Sequence, residues 1–262
     1  MVTGRHRTLG PAGEREGAAA SAEGQQVVAF IPARAGSKGI EHKNLQLLGD
    51  RTLLRWAIDT AHATPEIDRC VVSTDGEAIA DQARRAGAGV HVRPEALADD
   101  DALVIDAIRH FLAVEREAGT HPDIVVLFEP TSPLRIPVDV RHCLEGLLGG
   151  ADSAATVTEA ALHPKRAFRI DADGLRPYID GAVPWAPRQS LEPAAYQITG
   201  GVYAFWAERL PTSGPAVLFG TVHAVSIPRE RCLDIDDPID LERANDLLRR
   251  GAIPDLGQPA GP

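Results

Sequence analysis

Short runs of hydrophobic residues alternate along the first part of the chain with segments in which hydrophobic positions recur at helical spacing. Short apolar runs that lead into polar stretches are typical of buried parallel strands, and helical spacing is typical of amphipathic helices. The predicted strands lie at 27–31, 69–73, 90–92 and 123–128. The predicted helices lie at 51–62, 77–86, 102–117 and 138–148.

This alternation predicts an α/β fold, a Rossmann-like open, mostly parallel sheet with helices on both faces. In such sheets a ligand binds at the carboxyl ends of the strands, where the connecting loops gather. The loops that follow the first strand and Phe128 are therefore the natural places for a binding site.

The pattern changes from Asp152 onwards. Further strands are predicted at 153–157, 167–170, 202–206 and 221–227, and a last helix at 237–250. Glycines and prolines interrupt the region 155–197, which we interpret as a hairpin-rich arm inserted into one domain that spans 26–250. Residues 1–25 and 251–262 show no hydrophobic period and are predicted to be disordered tails.

Composition narrows the class of protein. The 262 residues include 27 Lys and Arg against 37 Asp and Glu, a net charge of -10, which argues against a nucleic-acid partner but allows a small anionic ligand. No apolar run approaches the ~20 residues that span a membrane, and the first residues lack the apolar centre of a secretory signal. Cys70, Cys143 and Cys232 show neither disulfide-framework nor zinc spacing, which favours a reducing, cytoplasmic setting.

The loop after the first strand concentrates positive charge and small residues. Gly36 and Gly39 allow the backbone to approach a ligand closely. Three cations occur within ten positions, Arg34, Lys38 and Lys43. Backbone N–H groups and cations together suit a triphosphate, although the spacing is not that of a Walker A loop. The alternative interpretation is a solvated basic loop.

A pair of carboxylates stands near the end of the folded region. Asp234 and Asp236 occupy alternate positions of an extended segment, so that both side chains face the same way. Two carboxylates on one face suit Mg²⁺, which also takes water and substrate phosphates. The alternative interpretation is a helix cap, since Asp236 and Asp237 precede Pro238; both can hold, with Asp237 as the cap. The nine histidines show neither metal-ligand spacing nor a recognisable catalytic triad.

Five blocks of the chain resemble, in the same order, those of the acylneuraminate cytidylyltransferases (CMP-sialic acid synthetases). These blocks are IPARAGSKG with the following KN, STD with a later RP, FEPTSPLR, PRQ with a later TGGVY, and LDID. The resemblance covers about residues 27–247, nearly all of the predicted domain.

The resemblance implies a reaction, its cofactor and its partners. CMP would pass from CTP to a hydroxyl of an acidic sugar, pyrophosphate would leave, Mg²⁺ would assist, and the arm would form a homodimer. The residues implied for catalysis are Arg34, Lys38, Lys43 and Asp236, and those for metal are Asp234 and Asp236. Those implied for the nucleotide are Ala33, Arg34, Ala35, Gly36, Ser37, Lys43, Asn44, Asp75, Arg93, Thr131 and Ser132. Those implied for the acceptor sugar are Glu129, Arg166, Arg188, Gln189, Thr199 and Tyr203.

Two positions depart from the family pattern on the acceptor side. Glu129 stands where the family usually has Gln, and Thr199 where it usually has Asn. A carboxylate repels an anionic substrate unless it is neutralised or paired, so we expect an acceptor other than ordinary sialic acid. The alternatives are a Kdo-type or other sugar nucleotidyltransferase and a non-catalytic CTP-binding homologue.

Overall fold

The computed structural model describes residues 24–36, 39–99, 101–172 and 174–251. The strands are β1 (Val27–Pro32), β2 (Leu47–Leu48), β3 (Arg51–Thr52), β4 (Arg69–Thr74), β5 (Gly89–Val92), β6 (Ile124–Leu127), β7 (Ser153–Glu159), β8 (Phe168–Asp171), β9 (Gly174–Pro177), β10 (Tyr196–Trp206) and β11 (Val222–Ser226). The helices are α1 (Leu53–His62), α2 (Glu77–Arg85), α3 (Val104–Glu117), α4 (Pro137–Leu148) and α5 (Pro238–Arg249). Nearly all of the two predicted tails, together with Ser37 and Lys38, lies outside the described residues.

Within the described residues, the main sheet has seven strands in the order β11-β7-β10-β6-β1-β4-β5. β1 pairs in parallel with both β4 and β6, and β10 runs antiparallel to β6 and β7. The predicted α/β fold with an open, mostly parallel sheet is therefore confirmed. β8 and β9 form a separate antiparallel hairpin.

The buried central strand β1 explains why helices cover both faces of the sheet. Its residues alternate between two hydrophobic clusters: Val27, Ala29 and Ile31 join one, and Val28 and Phe30 join the other. The first cluster also takes the apolar faces of α1, α2 and α4, and the second takes that of α3. A strand buried on both sides reads as a continuous apolar run, which is how it is recognised in the sequence.

Local capping explains where the helices begin. α1 begins at Leu53, two residues later than predicted. The reason is that the Thr52 hydroxyl accepts a hydrogen bond from the Arg55 backbone nitrogen and caps the helix there. At the second helix the N-cap is Gly76, without a side-chain bond. No helix among the described residues is long and apolar enough to cross a bilayer.

The arm is shorter than the predicted 155–197. β7 continues in the main sheet to Glu159, and Tyr196, at the start of β10, pairs with it. Both ends of the predicted arm thus belong to the main sheet, and only residues 160–195 lie outside it. The register of β10 against β7 shifts between Ile198 and Tyr203, where Gly200 has a left-handed φ of 70°.

Candidate active site

A cleft of about 540 Å³ opens at the carboxyl ends of β1 and β6. From β1 the chain proceeds through β4 to β5 on one side, and it then returns to β6 on the other. The loops after β1 and β6 consequently diverge, which is the switch point at which open α/β sheets bind their ligands. Eight of the residues expected from the sequence line this cleft: Arg34, Gly36, Lys43, Asn44, Arg93, Glu129, Thr131 and Asp236.

Other expected nucleotide residues shape the first loop from behind. Ala33 is fully buried, and its backbone nitrogen donates to the Ser73 carbonyl oxygen at 2.9 Å. The Ala35 nitrogen donates to the Asp75 carboxylate at 2.8 Å, and the Asn44 amide donates to the Arg34 carbonyl oxygen at 3.1 Å. Asp75 and Asn44 therefore hold the loop against β4 and against itself. The expected Ser37 and Lys38 lie outside the described residues.

The acidic segment forms the opposite wall of the cleft. Asp234 and Asp236 are exposed, whereas Leu233 before them and Ile235 between them are buried, so the alternation expected from the sequence is present. The Ile235 nitrogen donates to the Thr131 carbonyl oxygen at 2.8 Å and ties the segment to the loop after β6. Asp236 accepts a hydrogen bond from Lys43 Nζ at 3.0 Å.

Asp237 caps α5, so Asp234 and Asp236 are not needed for that role. Its side chain accepts from the Asp240 nitrogen at 2.9 Å, and the Asp240 side chain accepts in return from the Asp237 nitrogen. This reciprocal pair is a capping box at the start of α5. The helix-cap interpretation is thus confirmed for Asp237.

The donor set fits Mg²⁺ only when a substrate shares it. Asp234 and Asp236 supply hard carboxylate oxygens on one exposed face of the acidic segment. Among the described residues, no group of three His, Cys, Asp or Glu side chains could enclose a metal ion. Mg²⁺ commonly takes one or two carboxylates and completes its shell with water and substrate phosphates, so the pair suits an ion that arrives with a polyphosphate.

Glu129 is a partly buried carboxyl group on the floor of the cleft. Its pKa is raised to about 7, mainly by burial and also by the nearby carboxylates of Asp234 and Asp236, while Arg135 and Lys43 oppose the rise. Burial favours the neutral form of an acid because it removes water from the carboxylate. Glu129 is therefore balanced between its neutral and charged forms near pH 7.

The completely buried Arg135 supports this floor, a role that its sequence context did not reveal. Its Nε donates to the Gly201 carbonyl oxygen at 2.6 Å, and a terminal nitrogen donates to the Glu129 carbonyl oxygen. The guanidinium carbon lies 4.9 Å from the centre of the Phe128 ring. Burial lowers the pKa of Arg135 from its usual range, and Glu129 is the first of the acidic groups that oppose this. The side chain joins the loop after β6 to β10.

The expected acceptor residues do not all reach the cleft. The Thr199 hydroxyl is buried and lies 2.6 Å from that of Thr156, and the backbone oxygen of Thr199 accepts from Ser132 Oγ at 3.1 Å. Thr199 and Ser132 thus connect β10, β7 and the loop after β6. Tyr203 is half-buried; burial raises its pKa, with further contributions from Glu129 and Asp234, which locates it near the cleft.

The remaining acceptor residues lie in the arm. Arg166 and Arg188 line a separate cavity of about 260 Å³. Arg188 donates to the Glu159 carboxylate at 2.7 Å, and Arg166 donates to the Ala186 carbonyl oxygen at 2.8 Å. Gln189 is exposed in the short 3-10 helix Arg188–Ser190. Within the described residues of one chain, these three side chains are apart from the cleft.

The fold and the cleft together define a nucleotidyltransferase-type α/β protein. A sequence profile of the family described as cytidylyltransferase matches residues 28–173, more than half of the chain. The chain belongs to the cytidylyltransferase family, and it is a CTP-dependent nucleotidyltransferase, as its motifs predicted.

Named relatives support this assignment. The chain is 31% identical to the CMP-N,N'-diacetyllegionaminic acid synthase of Legionella pneumophila, over 85% of this chain and 96% of that protein. It is 30% identical to the N-acylneuraminate cytidylyltransferase of Escherichia coli, over 84% of this chain but only 51% of the longer relative. A solved CMP:2-keto-3-deoxy-manno-octonic acid synthetase complexed with CTP shares the fold, with a TM-score of 0.64, 17% identity, and coverage of 87% of this chain and all of that one.

Gly39→Ala should destabilise the protein, because the added Cβ would overlap the Asp236 backbone oxygen. We expect the free energy of unfolding in urea to fall by about 1–3 kcal/mol, the usual cost of overpacking. Gly36→Ala is the matched control, since a Cβ there meets no atom within 4 Å. Equal stabilities for the two variants would contradict the contact between this loop and the acidic segment.

Glu129→Gln should remove a pH dependence of stability. The folded-state pKa of Glu129, about 7, lies above its ordinary value of 4.5, so stability falls as pH rises between these values and stays lower above them. In Mg²⁺-free urea titrations the variant should match the parent near pH 5 and exceed it at pH 8 by roughly 2–3 kcal/mol. The exposed control Glu95→Gln should differ equally from the parent at both pH values. A pH-independent effect of Glu129→Gln would show that the carboxyl is not held neutral.

Proposed function

We propose that this enzyme transfers CMP from CTP to a hydroxyl of an acidic nine-carbon sugar related to sialic acid. The acceptor oxygen forms a bond to the α-phosphorus, the bond from that phosphorus to the oxygen bridging to the β-phosphate breaks, and pyrophosphate leaves. The hydroxyl proton passes to solvent or to a base. Such transfers need mainly positioning and charge stabilisation.

The observation that carries this proposal is the gathering of cations and a carboxylate in one cleft. Arg34, Lys43 and Arg93 line it, and Asp236 lies across from the first loop at hydrogen-bond distance from Lys43. Cations and exposed backbone N–H groups are the usual partners of a triphosphate. We assign the triphosphate to Arg34 and Lys43, with Lys38, Ser37 and the backbone of Ala35 and Gly36 as further contributors.

Asp234 and Asp236 are proposed to hold Mg²⁺ together with phosphate oxygens of CTP. The ion would supply a positive charge that stabilises the charge developing on the phosphates. Lys43 pairs with Asp236 at 3.0 Å and is only 17% exposed, so it is positioned to exchange this carboxylate for a phosphate oxygen. The cytosine and ribose are assigned to the side formed by Arg93, Asn44 and Thr131.

The acceptor is proposed to be a nonulosonic acid other than ordinary sialic acid. Glu129 lies in the cleft, so an acceptor that offers it hydrogen-bond donors is favoured over one that brings another carboxylate close to it. The legionaminic acid synthase named above, which this chain covers almost completely, points in the same direction. Tyr203 is assigned to the same half of the site.

The enzyme is further proposed to act as a homodimer through its arm. Five apolar arm residues are more than 60% exposed: Ile170, Leu175, Tyr178, Val183 and Trp185. A concentration of exposed apolar side chains marks an interaction surface. In the dimer, Arg166, Arg188 and Gln189 would meet the acceptor carboxylate in the partner's cleft. The three cysteines, free in the structure, accord with a reducing compartment such as the cytoplasm.

Pyrophosphate release from CTP and Mg²⁺ tests the reaction. The acceptor panel comprises sialic, legionaminic, pseudaminic, Kdn and Kdo acids, and we expect release with a nonulosonic acid. Asp236→Ala should lower the rate about 100-fold or more, because it removes a carboxylate proposed to hold Mg²⁺ against the reacting phosphates. Asp237→Ser is the matched control: it removes a neighbouring charge, keeps a side chain that can cap α5, and should retain the rate.

Two outcomes would contradict the proposal. A parent protein that binds CTP but releases no pyrophosphate with any acid would favour a binding role. Release with Kdo alone would move the substrate to the eight-carbon class.

Sedimentation of an arm variant tests the dimer. Ile170→Glu places a charge on the most exposed apolar residue of the arm and should convert the dimer to monomers. The matched control is Ile239→Glu on α5, where the side chain is 73% exposed, and it should remain dimeric. A monomeric parent would contradict the assembly.

Mixed dimers test whether the arm acts in its partner's cleft. Asp236→Ala and Arg188→Ala are each expected to be nearly inactive alone. In a mixed dimer one cleft carries both substitutions and the other carries neither, so mixing should restore activity. Failure of mixing to restore activity, with exchange of subunits demonstrated, would place Arg188 in its own chain's function.

A further inference from the structure

A series of hydrogen-bonded polar side chains extends from Arg93, which lines the cleft, through the buried Ser73 and His91 to His110. Ser73 on β4 and His91 on β5 are register partners in the parallel ladder, so their side chains lie on one face of the sheet. His91 Nδ1 lies 3.0 Å from Ser73 Oγ, and Arg93 Nε donates to the same hydroxyl oxygen at 3.2 Å. Ser73 is fully buried, and His91 and Arg93 are each 7% exposed.

Counting donors and acceptors determines which atom donates in each hydrogen bond of this series. Arginine can only donate, so Ser73 Oγ accepts from Arg93 and has its own proton to give. Among the described residues, His91 Nδ1 is the acceptor within reach of that proton. The neutral imidazole then carries its proton on Nε2, which lies 2.8 Å from His110 Nδ1 on α3 and donates to it. Each donor between Arg93 Nε and His110 Nδ1 then has an acceptor.

The surroundings keep His91 neutral and fixed. Its pKa is lowered to about 4, mainly by burial and also by the neighbouring His110 and Arg93, while Glu115 on α3 opposes this fall. Phe30 and Phe111 enclose the ring, with centroid distances of 6.3 and 5.6 Å. A neutral His91 remains an acceptor across the physiological range of pH, whereas a charged imidazole would release the Ser73 proton and repel Arg93.

Ser73 binds two of the three guanidinium nitrogens of Arg93. Nε donates to the Ser73 hydroxyl, and one terminal nitrogen donates to the Ser73 carbonyl oxygen at 3.0 Å. The other terminal nitrogen has no hydrogen bond to the described residues, and the side chain lines the cleft. A guanidinium held at two of its nitrogens presents the third in one direction, which lowers the entropy cost of binding a ligand oxygen.

We propose that His91, acting through Ser73, is a positioning residue that fixes Arg93 toward the nucleotide in the cleft. The inference rests on the proposed function, because it assigns CTP to the Arg93 side. His91 touches no ligand itself. It orients the Ser73 hydroxyl, and that hydroxyl in turn orients the guanidinium of Arg93.

Four variants test the chain, with CTP and Mg²⁺ as the probe. Ser73→Ala and His91→Phe remove the hydroxyl and the acceptor, and each should raise the KM and Kd for CTP about tenfold, the worth of a hydrogen bond to a charged group, with kcat nearly kept. His91→Asn retains an acceptor close to the position of Nδ1 and should restore most of the affinity. Phe205→Leu is the control for packing: it loosens the hydrophobic cluster that contains Phe30 and Phe111, its ring contacts Phe219 and not His91, and it should lower Tm while leaving the KM for CTP unchanged.

A second measurement needs no nucleotide. Imidazole nitrogen NMR of the parent at pH 7 should show His91 neutral with its proton on Nε2, and Ser73→Ala should shift the Nδ1 signal. A proton found on Nδ1, or an unshifted signal, would overturn the assignment even if the parent failed to bind CTP. A parent that binds CTP, together with His91→Phe of unchanged affinity, would overturn it as well. A parent that binds no CTP would contradict the proposed function instead.

Discussion

The parallel pairing of β1 with β4 on one side and β6 on the other is the constraint on which the rest of the structure depends. Burial on both faces holds β1 in place, since none of its residues from Val27 to Ile31 is more than 1% exposed. The chain passes from β1 to β4 and β5 on one side and returns to β6 on the other. The loops after β1 and β6 therefore separate at the edge of the sheet. The cleft is therefore a consequence of strand order, and its side chains are added to a rigid frame.

The cleft combines charges of both signs without leaving either isolated. Lys43 pairs with Asp236, and the buried Arg135 lies close enough to Glu129 to oppose the rise in its pKa. Removing water from a charge is costly unless another charge or a set of hydrogen bonds replaces it. A polyphosphate accompanied by a divalent cation can exchange partners with such a pair and keep the charges balanced. This is the electrostatic requirement of a nucleotidyl transfer.

The acceptor side shows how close contacts change the meaning of a motif. Thr199 belongs to a block that resembles a sugar-binding segment, yet its hydroxyl bonds to Thr156 inside the sheet. Thr199 lies within the stretch between Ile198 and Tyr203 in which the register of β10 against β7 shifts, and such a shift changes which side chains face outward. His91 shows the opposite case: its sequence context carries no catalytic spacing, and only its ladder partner Ser73 connects it to the site.

The sequence by itself determined the α/β class and most strands and helices to within two residues at each end, and it named eight residues that line one cleft. Those properties follow from hydrophobic periods and motif spacings, which involve residues that are close together in the sequence. Only the tertiary structure decided that Lys43 meets Asp236 across 193 positions, that the arm is limited to residues 160–195, and that Arg135 lies beneath Glu129. Such contacts depend on strand order, register and the packing of loops, which bring together side chains whose separation along the chain carries no information about their distance.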